Sequence, residues 1–201
     1  MQNLSRFAVF AVMTSENEEL IRAEQRYLTH LTGNRLALAF PVHITLKGRF
    51  LADKNTVITT FKNTVTKILE KTKIEFPPLP KIIHISNAKY VNSQLSWLEV
   101  LPNTQGFYTL LYLHSTFEKE MNGLVVIDEV PEEHKNSNFC PHITLGWGVT
   151  LEVWEKYLAD RKLNLNQSQI KYIALASYPQ NWQLGESINL ILKIPLKSSH
   201  I

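Results

Sequence analysis

The tetrapeptide His-Ile-Thr-Leu stands twice in this chain, at His43–Leu46 and at His142–Leu145, each copy with a proline close before it (Pro41, Pro141). The separation is too long for one helix or hairpin and suits one copy in each half of the molecule. In a strand alternate side chains share a face, so the His and Thr of each copy point one way and Ile and Leu the other. Each copy then offers an imidazole and a hydroxyl on one face, with an aliphatic pair behind to bury. Two imidazoles in one cleft supply a general base and a general acid together near neutral pH. A phosphodiester, including a strained cyclic one, fits between them. One imidazole takes the proton of an attacking water or hydroxyl, and the other protonates the leaving ribose oxygen. The hydroxyls of Thr45 and Thr144 donate to the non-bridging oxygens and hold phosphorus in line. This chemistry needs no metal and no cofactor. Zinc, the competing use of two histidines, requires a third or fourth ligand where the motif supplies threonines.

Alternation extends the first polar face to Lys47 and Arg49, two cations for the substrate phosphate, and the second to Gly146 and Gly148, which leave room for substrate. The cations, if they flank His43, disfavour its protonated form, which leans His43 toward base and His142 toward acid. Trp147 falls on the face opposite His142 and reads as core. Cys140 reads as a small residue filling strand space rather than as a nucleophile. His30, His84, His114, His134 and His200 lie outside the repeated context and read as structural or exposed. The loop Asp128–Asn138, directly before the second motif, is a candidate flap.

The elements that must position these residues recur in one order. In the first half they are an apolar strand (Ser5–Met13), a helix starting near Ser15 and Glu18 at capping-box spacing and ending at Gly33-Asn34, and the first motif strand (Phe40–Phe50). A helix capped by Asp53, with Val57, Phe61, Val65 and Ile68 on one face, follows. Strands Lys73–Phe76 and Lys81–Tyr90 close the half, split by Pro77-Pro78-Leu79-Pro80. The second half has a strand (Gln94–Leu101), a helix (Thr104–Met121), a connection (Asn122–Asn138) and the second motif strand (Phe139–Val149). A helix capped by Thr150 and strands Ile170–Tyr178 and Ser187–Leu196, with a turn at Asn181–Gly185, complete it. The expected architecture is α+β, a single two-lobed domain over 1–201 with an internal repeat of approximately 5–90 and 94–196. Two antiparallel sheets flanked by helices, related by a pseudo-twofold axis, face each other across a central groove. The 201 residues, 44% hydrophobic and 19% charged with net charge +3, are ordinary for a globular chain and carry no nucleic-acid-binding basic block. One cysteine excludes an intramolecular disulfide. With no signal pattern and no apolar stretch long enough to span a bilayer, a cytoplasmic monomer is expected.

The doubled His-x-Thr at this spacing, on strands of a repeated α+β chain, resembles the 2H phosphoesterase superfamily, most closely its RNA 2′,3′-cyclic phosphodiesterase and 2′-5′ RNA ligase branch. The resemblance spans nearly the whole chain. It implies His43 and His142 as catalytic residues, with Thr45 and Thr144 on the phosphate and Arg49 and Lys47 the nearest groove cations. It implies RNA ends or small cyclic nucleotides as substrates of a metal-independent cyclic phosphodiesterase. The alternatives are a 2′-5′ RNA ligase, a 2′-5′ or 3′-5′ phosphodiesterase, or a non-catalytic RNA or nucleotide binder on the same fold. Two intact motifs favour the enzyme, since a binder needs neither imidazole as acid or base.

Overall fold

The structure, a computed structural model, describes residues 4–74, 82–91, 94–130, 138–163, 165–179, 182–183 and 186–196. The elements in chain order are β1 (Leu4–Met13), α1 (Ser15–Thr32), β2 (His43–Asp53), α2 (Lys54–Ile74), β3 (Ile82–Val91) and β4 (Leu95–Val100). Then follow α3 (Gln105–Met121), β5 (Ile127–Asp128), β6 (His142–Trp147), α4 (Leu151–Asp160), β7 (Gln167–Tyr178) and β8 (Asn189–Pro195). All strand pairs are antiparallel and run in one path, β5-β2-β1-β7-β3-β4-β6, with β8 also on β7. The 12-residue β7 joins the lobes: Gln167–Gln169 pair with β3, and Ile170 onward pairs with β1.

The local reasons follow from the sequence. β1 is apolar on both faces because both are covered. Phe7, Val9, Ala11 and Met13 enter the main core against the helices, while Ala8, Phe10 and Val12 join a smaller cluster with Phe40, Tyr178 and Trp182. In α2, Val57, Phe61, Val65 and Ile68 are all buried, and Asp53 Oδ1 accepts from the Thr56 amide at 3.0 Å. The ring of Phe61 stacks on Phe117 of α3 at 5.8 Å. Gly33 ends α1 in the left-handed region at φ 72°.

The two halves of the chain exchange parts. β3 of the first half pairs with β4 of the second, and β7 of the second half pairs with β1 of the first. Helices cross as well: α1 packs behind β6 and α3 behind β2. Each lobe is therefore built from both halves. Other expectations shift by a few residues. α1 begins at Ser15, so Thr14 is the N-cap and its side chain makes no capping bond. Lys73 and Ile74 continue α2 rather than opening a strand, since the run before them favours helix. β5, a two-residue edge strand on β2, lies in what reads as a loop. The proline breaker, His134, His200, most of the candidate flap and most of the Asn181–Gly185 turn fall outside the described residues. Among the described residues no helix is long and apolar enough to cross a membrane.

Candidate active site

A cleft of about 490 Å³ lies between the motif strands, and His43, Thr45, His142 and Thr144 all line it. The two imidazoles are held alike. His43 Nδ1–H donates to the Pro41 carbonyl two residues earlier at 2.7 Å, and His142 Nδ1–H donates to the Cys140 carbonyl at 2.8 Å. A carbonyl only accepts, so Nδ1 carries the hydrogen in each ring. Each ring also lies against an aromatic residue of its lobe's neighbouring strand. Phe10 is 4.0 Å from His43, centroid to centroid, and Trp97 is stacked on His142 at 4.3 Å.

The environments differ. His43 also meets Phe40, at 5.8 Å between centroids. Burial, opposed in part by the Pro41 hydrogen bond and reinforced by the charges of His142 and Arg22, pushes the His43 imidazole down to about 4. The shift favours the neutral imidazole, whose Nε2 is then an acceptor. The cause is not the flanking cations expected from the sequence, since burial, His142 and Arg22 lower the His43 pKa.

Lys47 and Arg49 part company at a β-bulge. Thr45 pairs with Phe10 but Lys47 pairs with Val9, so Leu46 is an extra residue in β2. The slip turns Lys47 to the helix-side face, 1% exposed, where its Nζ meets Glu118 Oε2 at 2.7 Å and Asp128 Oδ2 at 3.0 Å. It does not line the cleft. A second irregularity between Lys47 and Phe50 returns Arg49 to the cleft face. There its guanidinium pairs with Glu129 and lies 5.9 Å from the Tyr178 ring and 5.7 Å from the Trp182 ring.

The second motif has the same bulge. Thr144 pairs with Trp97 and Gly146 with Ser96, leaving Leu145 extra. Gly146 thus turns to the core against Leu28 and Val149, and Trp147, expected in the core, is 38% exposed and lines the cleft. Cys140 is exposed at the cleft edge rather than filling strand space. Burial and the Glu99 carboxylate push its thiol up to about 11, which leaves it a poor nucleophile.

His30 and His84 are exposed and do not line the cleft, but His114 does, 4% exposed and stacked on Phe139 at 4.0 Å. Phe10, Phe40, Trp97, Tyr178, Trp182 and Gln25 are cleft residues that sequence reading passed over. An aromatic in the opening strand of each half was the one available signal for Phe10 and Trp97; the others reach the cleft through tertiary packing. Among the described residues no cluster of three or more His, Cys, Asp or Glu side chains is arranged to hold a metal ion.

No family model matches the chain, and no curated protein matches it by sequence. Solved structures do. Escherichia coli LigT complexed with 3′-AMP aligns over 98% of this chain and 100% of its own, with TM-score 0.58 and 15% identity. LigT complexed with ATP aligns over the same shares with TM-score 0.56 and 15% identity. A structure of a phosphoesterase aligns over 96% of this chain and 95% of its own, with TM-score 0.54 and 17% identity. At such identities the likeness is one of fold. The chain has the two-lobed α+β fold of LigT, the 2H phosphoesterase fold that the twin motif led one to expect.

Proposed function

We propose that this chain is a 2H-type phosphodiesterase that hydrolyses 2′,3′-cyclic phosphates of nucleotides or RNA ends. The observation that carries the reading is the paired geometry of the cleft: two imidazoles, each with Nδ1 tied to the carbonyl two residues earlier, each with a threonine beside it. In the reaction His43 Nε2 takes a proton from water, whose oxygen attacks phosphorus. The bond from phosphorus to one ribose oxygen breaks on the opposite side, and His142 Nε2–H protonates that oxygen. Thr45 and Thr144 hydroxyls donate to the two non-bridging oxygens, where charge builds in the transition state.

Substrate class is supported by the walls. Phe40, Tyr178 and Trp182 stand on one side and Trp97 and Trp147 on the other, faces on which nucleobases stack. LigT, which shares the fold, has been solved with 3′-AMP and with ATP. Arg49, at the Tyr178–Trp182 wall, is the cation offered to a further phosphate; Lys47 has no part in this reading. A cytoplasmic monomer acting without metal completes the proposal.

The deciding experiment is turnover of 2′,3′-cyclic nucleotides and of a cyclic-phosphate RNA oligomer in EDTA. Ring opening to a phosphomonoester that persists in chelator is expected. Binding of these ligands with no turnover would make the protein a nucleotide-binding module, and loss on chelation with recovery in zinc would refute the acid–base mechanism.

A further inference from the structure

The two bulges share a feature that neither the motifs nor the proposed reaction requires. Each lies against a helix from the opposite half of the chain, and each helix sends one buried polar side chain to a main-chain carbonyl at the bulge. From α1, Gln25 Nε2 donates to the Thr144 carbonyl at 2.8 Å. From α3, His114 Nδ1–H donates to the Leu46 carbonyl at 2.7 Å. The acceptors are one residue apart in motif position, directly before the extra Leu145 in one case and on the extra Leu46 in the other. A bulge frees main-chain groups from the ladder, and buried carbonyls need donors.

We propose that Gln25 and His114 are a pair of positioning residues, each pinning one motif bulge so that Thr144 and Thr45 aim their hydroxyls at a phosphate in the cleft. This rests on the proposed function for its ligand class. Both side chains are almost wholly buried, at 3% and 4% exposure, and both line the cleft. His114 keeps its place at a cost, since its Nε2 is buried without a hydrogen-bond partner among the described residues. A phenylalanine would stack on Phe139 as well and carry no unmet ring nitrogen, but it would leave the Leu46 carbonyl without this donor, so the imidazole holds its position through Nδ1–H. Gln25 is itself held. Its Oε1 accepts from Arg22 Nη1 at 2.9 Å, and Arg22 Nη2 donates to the Phe40 carbonyl at 2.5 Å, just ahead of Pro41 and His43. A hydrogen-bonded relay thus ties the approach to the first motif to the strand of the second.

The test is a pair of double-mutant cycles read in two ways, by kcat on a cyclic-phosphate substrate and by affinity for inorganic phosphate. Gln25→Met and His114→Phe preserve shape while removing the donor. Each should lower kcat roughly ten-fold or more, as misplacing a transition-state donor does, and weaken phosphate binding several-fold. Within a pair the effects should not add: Gln25→Met should cost little in a Thr144→Ala background, and His114→Phe little in Thr45→Ala. Across pairs they should add. His114→Gln, which restores an N–H, should recover much of the loss. A residue that merely supports the fold would lower the melting temperature, add in every background and show no rescue, and that outcome overturns the inference. Phosphate binding with coupled cycles but no turnover in the wild type would sink the proposed reaction and leave the pinning standing. A wild type that neither binds phosphate nor turns over substrate would remove both.

Discussion

At the scale of single residues the cleft makes sharp demands. His43→Ala and His142→Ala should each cost roughly two decades or more in turnover of a cyclic phosphate, and the double mutant far less than the product, because base and acid act as one unit. Near-normal kcat in either single mutant would end the two-histidine reading. Thr45→Ala and Thr144→Ala should each raise the barrier by about 2–4 kcal/mol with little change in melting temperature. The position of His43 sets a pH signature as well. Its imidazole is pushed down from the ordinary 6.5 to about 4, so the acid limb of kcat/KM should lie well below the range of a solvated histidine. The same shift acts on stability. Between the two values the unfolded chain binds a proton that the folded chain refuses, so the contribution is complete above pH 6.5 and is lost as pH falls toward 4. It amounts to up to about 3 kcal/mol. Unfolding of the wild type and of His43→Asn, compared across that window, should show the slope in the first and its loss in the second.

At the scale of elements, the bulges and the helices behind them decide which residues the strands present. Lys47→Met should cost roughly 3 kcal/mol of stability, because it removes the buried ammonium that pairs with Glu118 and Asp128. Activity per folded molecule should be nearly kept, whereas a phosphate ligand would behave the opposite way; urea unfolding beside kcat separates the two. Gly146 marks the close approach of α1 to β6. A Cβ there would meet Val149 Cγ2 at 2.9 Å and Leu28 Cδ1 at 3.1 Å. Gly146→Ala should therefore cost about 1–3 kcal/mol through overpacking and should disturb Thr144 with it, seen as a joint fall in melting temperature and kcat.

At the scale of the whole molecule, strands and helices are exchanged between the two halves of the chain. We propose that the chain is a single two-lobed domain in this sense. In residues 1–91, β3 lacks β4, β1 lacks β7 and α1 has no β6 to cover. Residues 94–201 are short of the matching partners. Neither fragment alone should show dispersed amide resonances or a cooperative thermal transition, and a folded 1–91 fragment would show that the lobes are autonomous.

What the residue string determines by itself is whatever is local or repeated. Hydrophobic period places the helices, Asp53, Thr150 and Gly33 mark their ends, and the doubled His-Ile-Thr-Leu reveals both the pseudo-symmetry and the four side chains that meet in the cleft. Alternation carries those four correctly because the strand is regular from His to Thr. It fails beyond the residue that follows each threonine, as Lys47 and Trp147 show, because a bulge at Leu46 and at Leu145 inserts an unpaired residue and reverses the faces beyond it. A bulge is a property of two paired strands and the helix packed behind them, so no single strand's sequence declares it. The partners of the site are non-local for the same reason. Gln25 and His114 reach the motifs across the exchange of halves, and the neutrality of His43 comes from burial against Phe10 and Phe40 and from the charges of His142 and Arg22, residues that only the packed chain brings to its ring.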